Sequence, residues 1–242
     1  GAPFWAWNAK LSPAELRRQI RIMKQMGLGG FFMHSRVGLN TEYLGRDWFA
    51  CVKACADEAK KLGMDAWLYD EDRWPSGAAG GKVTKVFPEY RLRRLVMKDC
   101  TDGADIEAGG APVTLAWFAV SGKTDKDEIA SYRRLAGPDA PRAQGETLLR
   151  FYDRANDPDA WYNDGTYLDT LSAEAVDKFI EITHEAYLAK CGGDFGKTIP
   201  GIFTDEPNYG GLRPWTRSFA DAFRARHGYD VLDHLPELFF KV

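Results

Sequence analysis

Cysteine is scarce in this chain of 242 residues, which carries only Cys51, Cys55, Cys100 and Cys191. These four have neither the close pairing of a zinc knuckle nor the density of a disulfide scaffold, so buried free thiols are expected. A basic excess is also missing, since 32 Lys+Arg stand against 35 Asp+Glu for a formal charge of −3. Nothing is therefore offered to a phosphate backbone, and no nucleic-acid partner is expected. No apolar run approaches the roughly 18 to 20 residues of a membrane helix. The N-terminus has neither a basic start nor an apolar h-region. The expectation is a soluble chain with no membrane partner. There is no repeat at a solenoid period, no low-complexity tract, and no first-strand GxGxxG to cradle a pyrophosphate.

Aromatic residues are plentiful, with 8 Trp, 10 Tyr and 14 Phe. Such rings gather where a protein binds flat, amphipathic ligands such as sugars. Phe4 to Trp7 reads as a short strand ending at Asn8. Ser12-Pro13-Ala14-Glu15 opens a helix, with Ser12 as N-cap, Pro13 at the first helical position and Glu15 placed to close a capping box. Leu16, Ile20, Met23 and Met26 follow at helical spacing, and Gly27 ends the helix before a second strand that runs to His34. A second helix places Trp48, Phe49, Val52, Cys55, Ala56, Ala59 and Leu62 on one face. Gly63 terminates it, and a third strand, Met64 to Tyr69, ends in Asp70-Glu71-Asp72. Strand starts recur about every 30 residues, the size of a βαβ unit.

From about Tyr90 to Asp169 short β runs replace this rhythm, at Arg94–Lys98, Val113–Val120 and Thr147–Tyr152. The helical pattern resumes with Ser172 as N-cap and Val176, Phe179, Ile180, Thr183, Tyr187 and Leu188 on one face, until Cys191-Gly192-Gly193. A fourth strand, Ile199 to Thr204, delivers Asp205-Glu206-Pro207, and one more helix covers about Thr216 to His227. The expected organisation is α/β: first βα units over 1–90, an inserted β-rich subdomain over 91–169, and the βα pattern continued through strand four and its helix over 170–242. Strands alternating with helices give a parallel sheet, either a (β/α)8 TIM-type barrel or a doubly wound sheet. Polar clusters at every strand end favour the barrel. A full barrel needs eight strands in roughly 250 residues, so four strands and an insertion predict only its first half.

Several runs carry a resemblance: Phe4–Asn8, Gly27-x-Gly29-Gly30-Phe31, Tyr69 through Trp74-Pro75-Ser76-Gly77, Tyr167 through Ser172-x-Glu174-Ala175-Val176, and Phe203-Thr204-Asp205-Glu206-Pro207. Together they resemble the catalytic barrel of α-L-rhamnosidase-like glycoside hydrolases, nearest to family 106, over most of the chain outside about 95–160. The resemblance implies a (β/α)8 glycosidase within a larger multidomain protein that acts on plant or microbial polysaccharide. Its partner would be an oligo- or polysaccharide. Enzymes of this type are often exported, which favours a secreted or periplasmic setting over the cytoplasm.

Glycosidases need one carboxylic acid to protonate the leaving oxygen and a second carboxylate as base or nucleophile. Glu206 fits the acid, because it ends an apolar strand and precedes Pro207, as the acid/base Glu does in the Asn-Glu-Pro motif of related barrels. Asp205 stands in place of that Asn, and its charge would raise the pKa of Glu206. Retaining and inverting outcomes both stay open, and the second carboxylate is expected outside this chain. Asp70 and Glu71 are candidates for sugar hydroxyls or for Ca²⁺, the one cation reading in a site otherwise expected to need no metal or cofactor. The competing reading is a turn in which Arg73 neutralises Glu71. Asn8 and His34 are further substrate candidates, and Arg36 pairs either with an acidic sugar or with Glu42. Trp74, Tyr209 and Trp215, in loops, are the better sugar-stacking aromatics, while Trp5 and Trp7 on a strand belong to the core. Asp169 fits a helix cap or a sugar contact, and Cys51 and Cys55 fit buried packing.

Two other classes compete with the glycosidase. One is a non-hydrolytic, carbohydrate-binding barrel fragment. The other is a metal-dependent hydrolase using His34, Asp70, Glu71 and Asp205, which the lack of a His-x-His pair after strand one disfavours. A half barrel leaves an open sheet edge, so the remainder of the barrel or a second copy is the expected partner, and the isolated chain should hydrolyse weakly or not at all.

Overall fold

A computed structural model describes residues 1–103 and 113–242, so the stretch 104–112 of the expected insertion lies outside the described residues. The chain divides into two units, Gly1–Arg91 with Asp157–Asn208, and Leu92–Asn156 with Tyr209–Val242. Elements are numbered along the chain.

In the first unit, strands β1 (Phe4–Trp7), β2 (Gly30–Ser35), β3 (Asp65–Tyr69) and β8 (Ile202–Phe203) form a parallel sheet in the order β1-β2-β3-β8. Period-two alternation separates its faces. Trp7, Phe31, Met33, Ala66 and Leu68 point into a core shared with Leu16 and Ile20 of α1 (Pro13–Gln25) and with Trp48, Val52 and Cys55 of α2 (Arg46–Leu62). Trp5 packs on the same core. Phe4, Phe32 and Trp67, which share a row across β1, β2 and β3, occupy the opposite face. Gly63 ends α2 in the left-handed conformation at φ 60, which costs glycine nothing. Gly30 lets β2 and β3 approach, since a Cβ there would lie 2.8 Å from the Asp65 carbonyl oxygen.

The expected capping box does not form. Ser12 makes no side-chain cap bond, while Glu15 accepts from Arg18 at 2.6 and 2.7 Å and from Gln19 at 2.8 Å, charge-assisted partners that outbid a neutral N–H. The helix expected from Ser172 to Cys191 is two helices, α4 (Ala173–Ile182) and α5 (His184–Cys191). The Thr183 hydroxyl donates to the Phe179 carbonyl at 2.6 Å, a back-bond that bends helices. The bend leaves Ile180 and Leu188 exposed rather than on a buried face. Ser172 does cap α4, accepting from the Ala175 N–H. The short helix α3 (Lys82–Val86) follows the β3 loop. All four cysteines are free and buried.

The second unit is an antiparallel sheet of β4 (Arg93–Asp99), β5 (Val113–Ser121), β6 (Ser131–Leu135), β7 (Thr147–Ala155) and β9 (Pro214–Trp215), in the order β6-β5-β7-β4-β9. Leu95, Phe118, Phe151 and Trp215 form its core with Val231, Leu235 and Phe240, and Phe219 and Phe223 of α6 (Phe219–His227) pack against them. Two boundaries therefore move. The β-rich unit ends at Asn156, not 169, and residues 209–242 return to it rather than continuing the βα pattern. The apolar face of α6 announces that the helix packs, but not on which sheet. Among the described residues no helix is long and apolar enough to cross a membrane.

Candidate active site

The chemistry-bearing residues of the first unit gather where β2, β3 and β8 end. Asp70, directly after β3, is fully buried. Its Oδ1 accepts from the Ser76 hydroxyl at 2.5 Å and its Oδ2 from the Thr204 hydroxyl at 2.6 Å, with His184 Nε2 3.7 Å away. Burial raises its carboxyl pKa above the usual range, while the two hydroxyls and His184 oppose the shift. Ser76 in turn accepts the Asp205 N–H on its Oγ at 2.8 Å and donates its own N–H to the Asp205 carbonyl at 2.9 Å. Asp70 thus ties Ser76 to the Thr204 side chain and, through Ser76, holds the Asp205 backbone.

Glu71 is likewise buried. It accepts five backbone N–H groups, from Asp72, Gly77, Ala78, Ala79 and Gly80, at 2.5 to 3.1 Å. Burial pushes its carboxyl up to about 7 against the pull of these amides. Both carboxyls expected to contact sugar are buried in the fold, Asp70 on two hydroxyls and Glu71 on five backbone N–H groups. The ion-paired alternative is corrected, because Arg73 meets Asp72 at 3.5 Å and donates to the carbonyls of Ala160 and Trp161 rather than neutralising Glu71. Among the described residues no group of three His, Cys, Asp or Glu side chains is arranged to hold a metal.

Asp205 and Glu206 diverge. Asp205 Oδ2 accepts the Tyr69 hydroxyl at 2.7 Å, which together with burial pushes the Tyr69 phenol well above its ordinary pKa. Glu206 is exposed at a positive φ of 41, a conformation that non-glycine residues adopt when the surroundings impose it. Its Oε2 accepts Trp74 Nε1 at 3.1 Å. The Tyr167 hydroxyl donates to the Ser76 carbonyl at 2.6 Å and accepts the Asn208 N–H at 3.2 Å, closing the turn from the far side.

His34 is 6% exposed, and its Nε2 has no hydrogen-bond partner among the described residues. Its ring lies 3.9 Å from that of Tyr69, centroid to centroid. Burial first, then the positive charge of Arg36, lowers its pKa to about 4 against the pull of Asp205. The imidazole is therefore neutral at pH 7. Arg36 is exposed and does not pair with Glu42, which takes Lys82 at 3.2 Å instead. Asn8 is exposed. Trp74 is half-buried and Tyr209 is half-buried. Trp215 is 3% exposed and packs on Phe219 at 4.8 Å, so its ring serves the core of the β-rich unit and is not open for stacking. Asp169 is buried and accepts the Leu171 N–H at 3.2 Å, a local turn role.

Ser76, Thr204, Tyr167, His184, Trp161 and Asn163 were not singled out from the sequence. Trp161 donates its indole N–H to the Trp74 carbonyl at 2.8 Å. Asn163 donates to Asp72 Oδ2 at 3.0 Å, while the Ser35 hydroxyl donates to Oδ1 at 2.8 Å. The aromatic pair Trp161-Tyr162, followed by Asn163, was the available signal, hidden within the expected insertion.

The family model described as alpha-L-rhamnosidase matches residues 145–242. A protein described as "Putative beta-glucuronidase" from Formosa agariphila is 20% identical over 97% of this chain and 25% of its own length. A rhamnosidase structure from Novosphingobium sp. PP1Y superposes with a TM-score of 0.59 at 13% identity, covering 98% of this chain and 41% of that one. The chain thus spans about a quarter of that relative and under half of that structure, and the structural likeness shows a shared fold. The chain is thus similar to rhamnosidase-type glycoside hydrolases, and residues 145–242 carry the family match.

Proposed function

We propose that this chain forms the first half of a (β/α)8 catalytic barrel in a glycoside hydrolase, with Glu206 as its general acid. The observation that carries this reading is the contrast among the carboxylates at the strand ends. Asp70, Glu71 and Asp72 are buried and filled, and Asp205 is clamped by Tyr69. Glu206 is exposed and held by a single neutral indole N–H, so it keeps a proton-transfer oxygen for a ligand. The order β1-β2-β3-β8 supports a barrel over a doubly wound sheet, because strands that follow one another as βα units are neighbours in the sheet with no switch point.

In this reading Glu206 donates its proton to the leaving glycosidic oxygen as positive charge develops on the sugar carbon. A second carboxylate, outside this chain, either activates water or attacks the anomeric carbon. The Asp70–Ser76–Asp205 network fixes the turn that aims Glu206. No cofactor is assigned. The relatives' descriptions, a rhamnosidase and a β-glucuronidase, make α-L-rhamnosides and β-glucuronides the first substrates to try.

The test is hydrolysis of aryl α-L-rhamnoside, β-glucuronide and related glycosides by this chain and by Glu206→Gln. Removing a general acid should cost about 10²- to 10⁴-fold in turnover. Equal, measurable rates in the two proteins would remove Glu206 from the mechanism. Sugar binding with no turnover in either, persisting when the remaining strands are supplied in one longer chain, would establish a non-hydrolytic, carbohydrate-binding fragment instead.

A further inference from the structure

A second recess of the first unit lies beside the turn that holds Trp74. It is a cleft of about 720 Å³ whose lining includes Asn40, Glu42, Arg73, Lys82, Lys85 and Val86. That volume falls in the range of small-ligand sites, roughly 300 to 1,000 Å³. The lining is mixed, with Leu39, Tyr43 and Ile182 beside the amides and charges, which matches a sugar unit that has an apolar ring face and polar substituents.

The charges in it are not balanced. Asp72, which also lines the cleft, is already saturated by Ser35, Asn163 and Arg73. Glu42 is left to answer the cations, and its side chain is 77% exposed where it meets Lys82, a geometry in which an ion pair contributes little. Lys85 is exposed, and its Nζ donates to the Asn163 carbonyl at 3.0 Å, a neutral partner. Lys82 and Lys85 stand three residues apart on α3 and so present their ammonium groups on one side of it. Val86, 67% exposed, adds an apolar surface next to them.

We propose that this cleft is a subsite for an anionic sugar, a saccharide unit whose carboxylate or sulfate oxygens are received between Lys82 and Lys85. Resting on the glycosidase reading, it adjoins the residue that tethers the acid: Arg73 lines the cleft, and the next residue, Trp74, donates to Glu206. A charged unit seated there would belong to the same chain as the bond presented to Glu206. The assignment adds a determinant of which polymer binds, separate from the chemistry of cleavage.

The experiment is calorimetric binding of trigalacturonate, a sulfated galactotriose and neutral maltotriose to the 242-residue chain and to a Lys82→Ala/Lys85→Ala variant, at low salt and at high salt. A circular-dichroism melt confirms that the variant is folded, and a Lys82→Arg/Lys85→Arg variant tests whether charge alone restores binding. One or both anionic trisaccharides should bind roughly tenfold more tightly than maltotriose, as two exposed charge contacts allow. The preference should vanish in the alanine variant, return with arginine and weaken with salt. Which anionic probe binds identifies the carboxylate or the sulfate as the ligand. Equal binding of all three sugars, no binding of any, or a preference that survives the alanine variant would overturn the proposal. Because binding is read without turnover, the two readings fail separately: loss of the anionic preference overturns the subsite, while measurable turnover that is unchanged in Glu206→Gln overturns the acid and leaves the subsite standing.

Discussion

His34 and Glu206 illustrate how differently two polar residues at strand ends of one sheet are treated. Glu206 is solvated and keeps one weak tether, whereas His34 is buried with an unmatched Nε2, an arrangement that costs stability unless a ligand completes it. The pH dependence follows from the direction of its shift. Its folded pKa, about 4, lies below the ordinary histidine value of 6.5. Above pH 6.5 both folded and unfolded forms are neutral at this site. As pH falls from 6.5 to 4 the unfolded chain takes up a proton that the native site refuses, so stability drops, by on the order of 3 kcal/mol in full. Urea unfolding of the wild type and of His34→Gln at pH 7 and pH 4.5 measures this, with the variant losing less stability over the interval. Equal losses would show that the imidazole is not excluded from protonation by its surroundings.

At the level of elements, the loop that follows β3 is built around Glu71 rather than decorated by it. Its carboxylate collects the N–H groups of residues 77 to 80, and Gly81 passes so close to the Tyr162 carbonyl that a Cβ would meet its oxygen at 1.9 Å. Glu71→Gln turns one acceptor into a donor facing those amides, which should cost about 3 kcal/mol, as for other buried charged hydrogen bonds. A lowered urea midpoint is the expected readout, and an unchanged midpoint with altered sugar binding would return Glu71 to the substrate site. This loop also marks what the sequence could convey. The βα rhythm of β1, α1, β2, α2 and β3 was legible within a residue or two, because apolar periodicity and the glycines at 27 and 63 are local signals. The carboxylates of the site were legible as types, since Asp70, Glu71, Asp205 and Glu206 all end strands. Which of them faces solvent was not, because the answer lies with backbone amides and with Ser76, Thr204 and Tyr167, distant in sequence. Strand β6, Ser-Tyr-Arg-Arg-Leu, was missed for want of apolar residues, as its pairing with β5 supplies what its composition does not.

For the molecule as a whole, the decisive feature is the parallel sheet's second face. One face is sealed by α1 and α2, but the other carries Phe4, 50% exposed, with Phe32, Trp67 and Phe203 half-buried around it. Their rings touch in a continuous cluster, Phe4 on Phe32 at 4.9 Å, Phe4 on Phe203 at 5.0 Å and Phe32 on Trp67 at 5.3 Å. Parallel sheets are stable when covered on both faces, and here β1 and β8 are also the two edge strands of the sheet. In a closed barrel the same aromatic cluster would face the packed interior and both edges would be paired. The proposed half barrel therefore makes a joint demand on assembly and activity. Sedimentation of this chain should show self-association that grows with concentration, and its turnover of aryl glycosides should be weak or absent until the remaining strands are supplied in trans or in one longer chain. A monodisperse monomer with robust turnover would mean that four strands suffice, and the half-barrel reading would fall while the role of Glu206 stayed open to its own test.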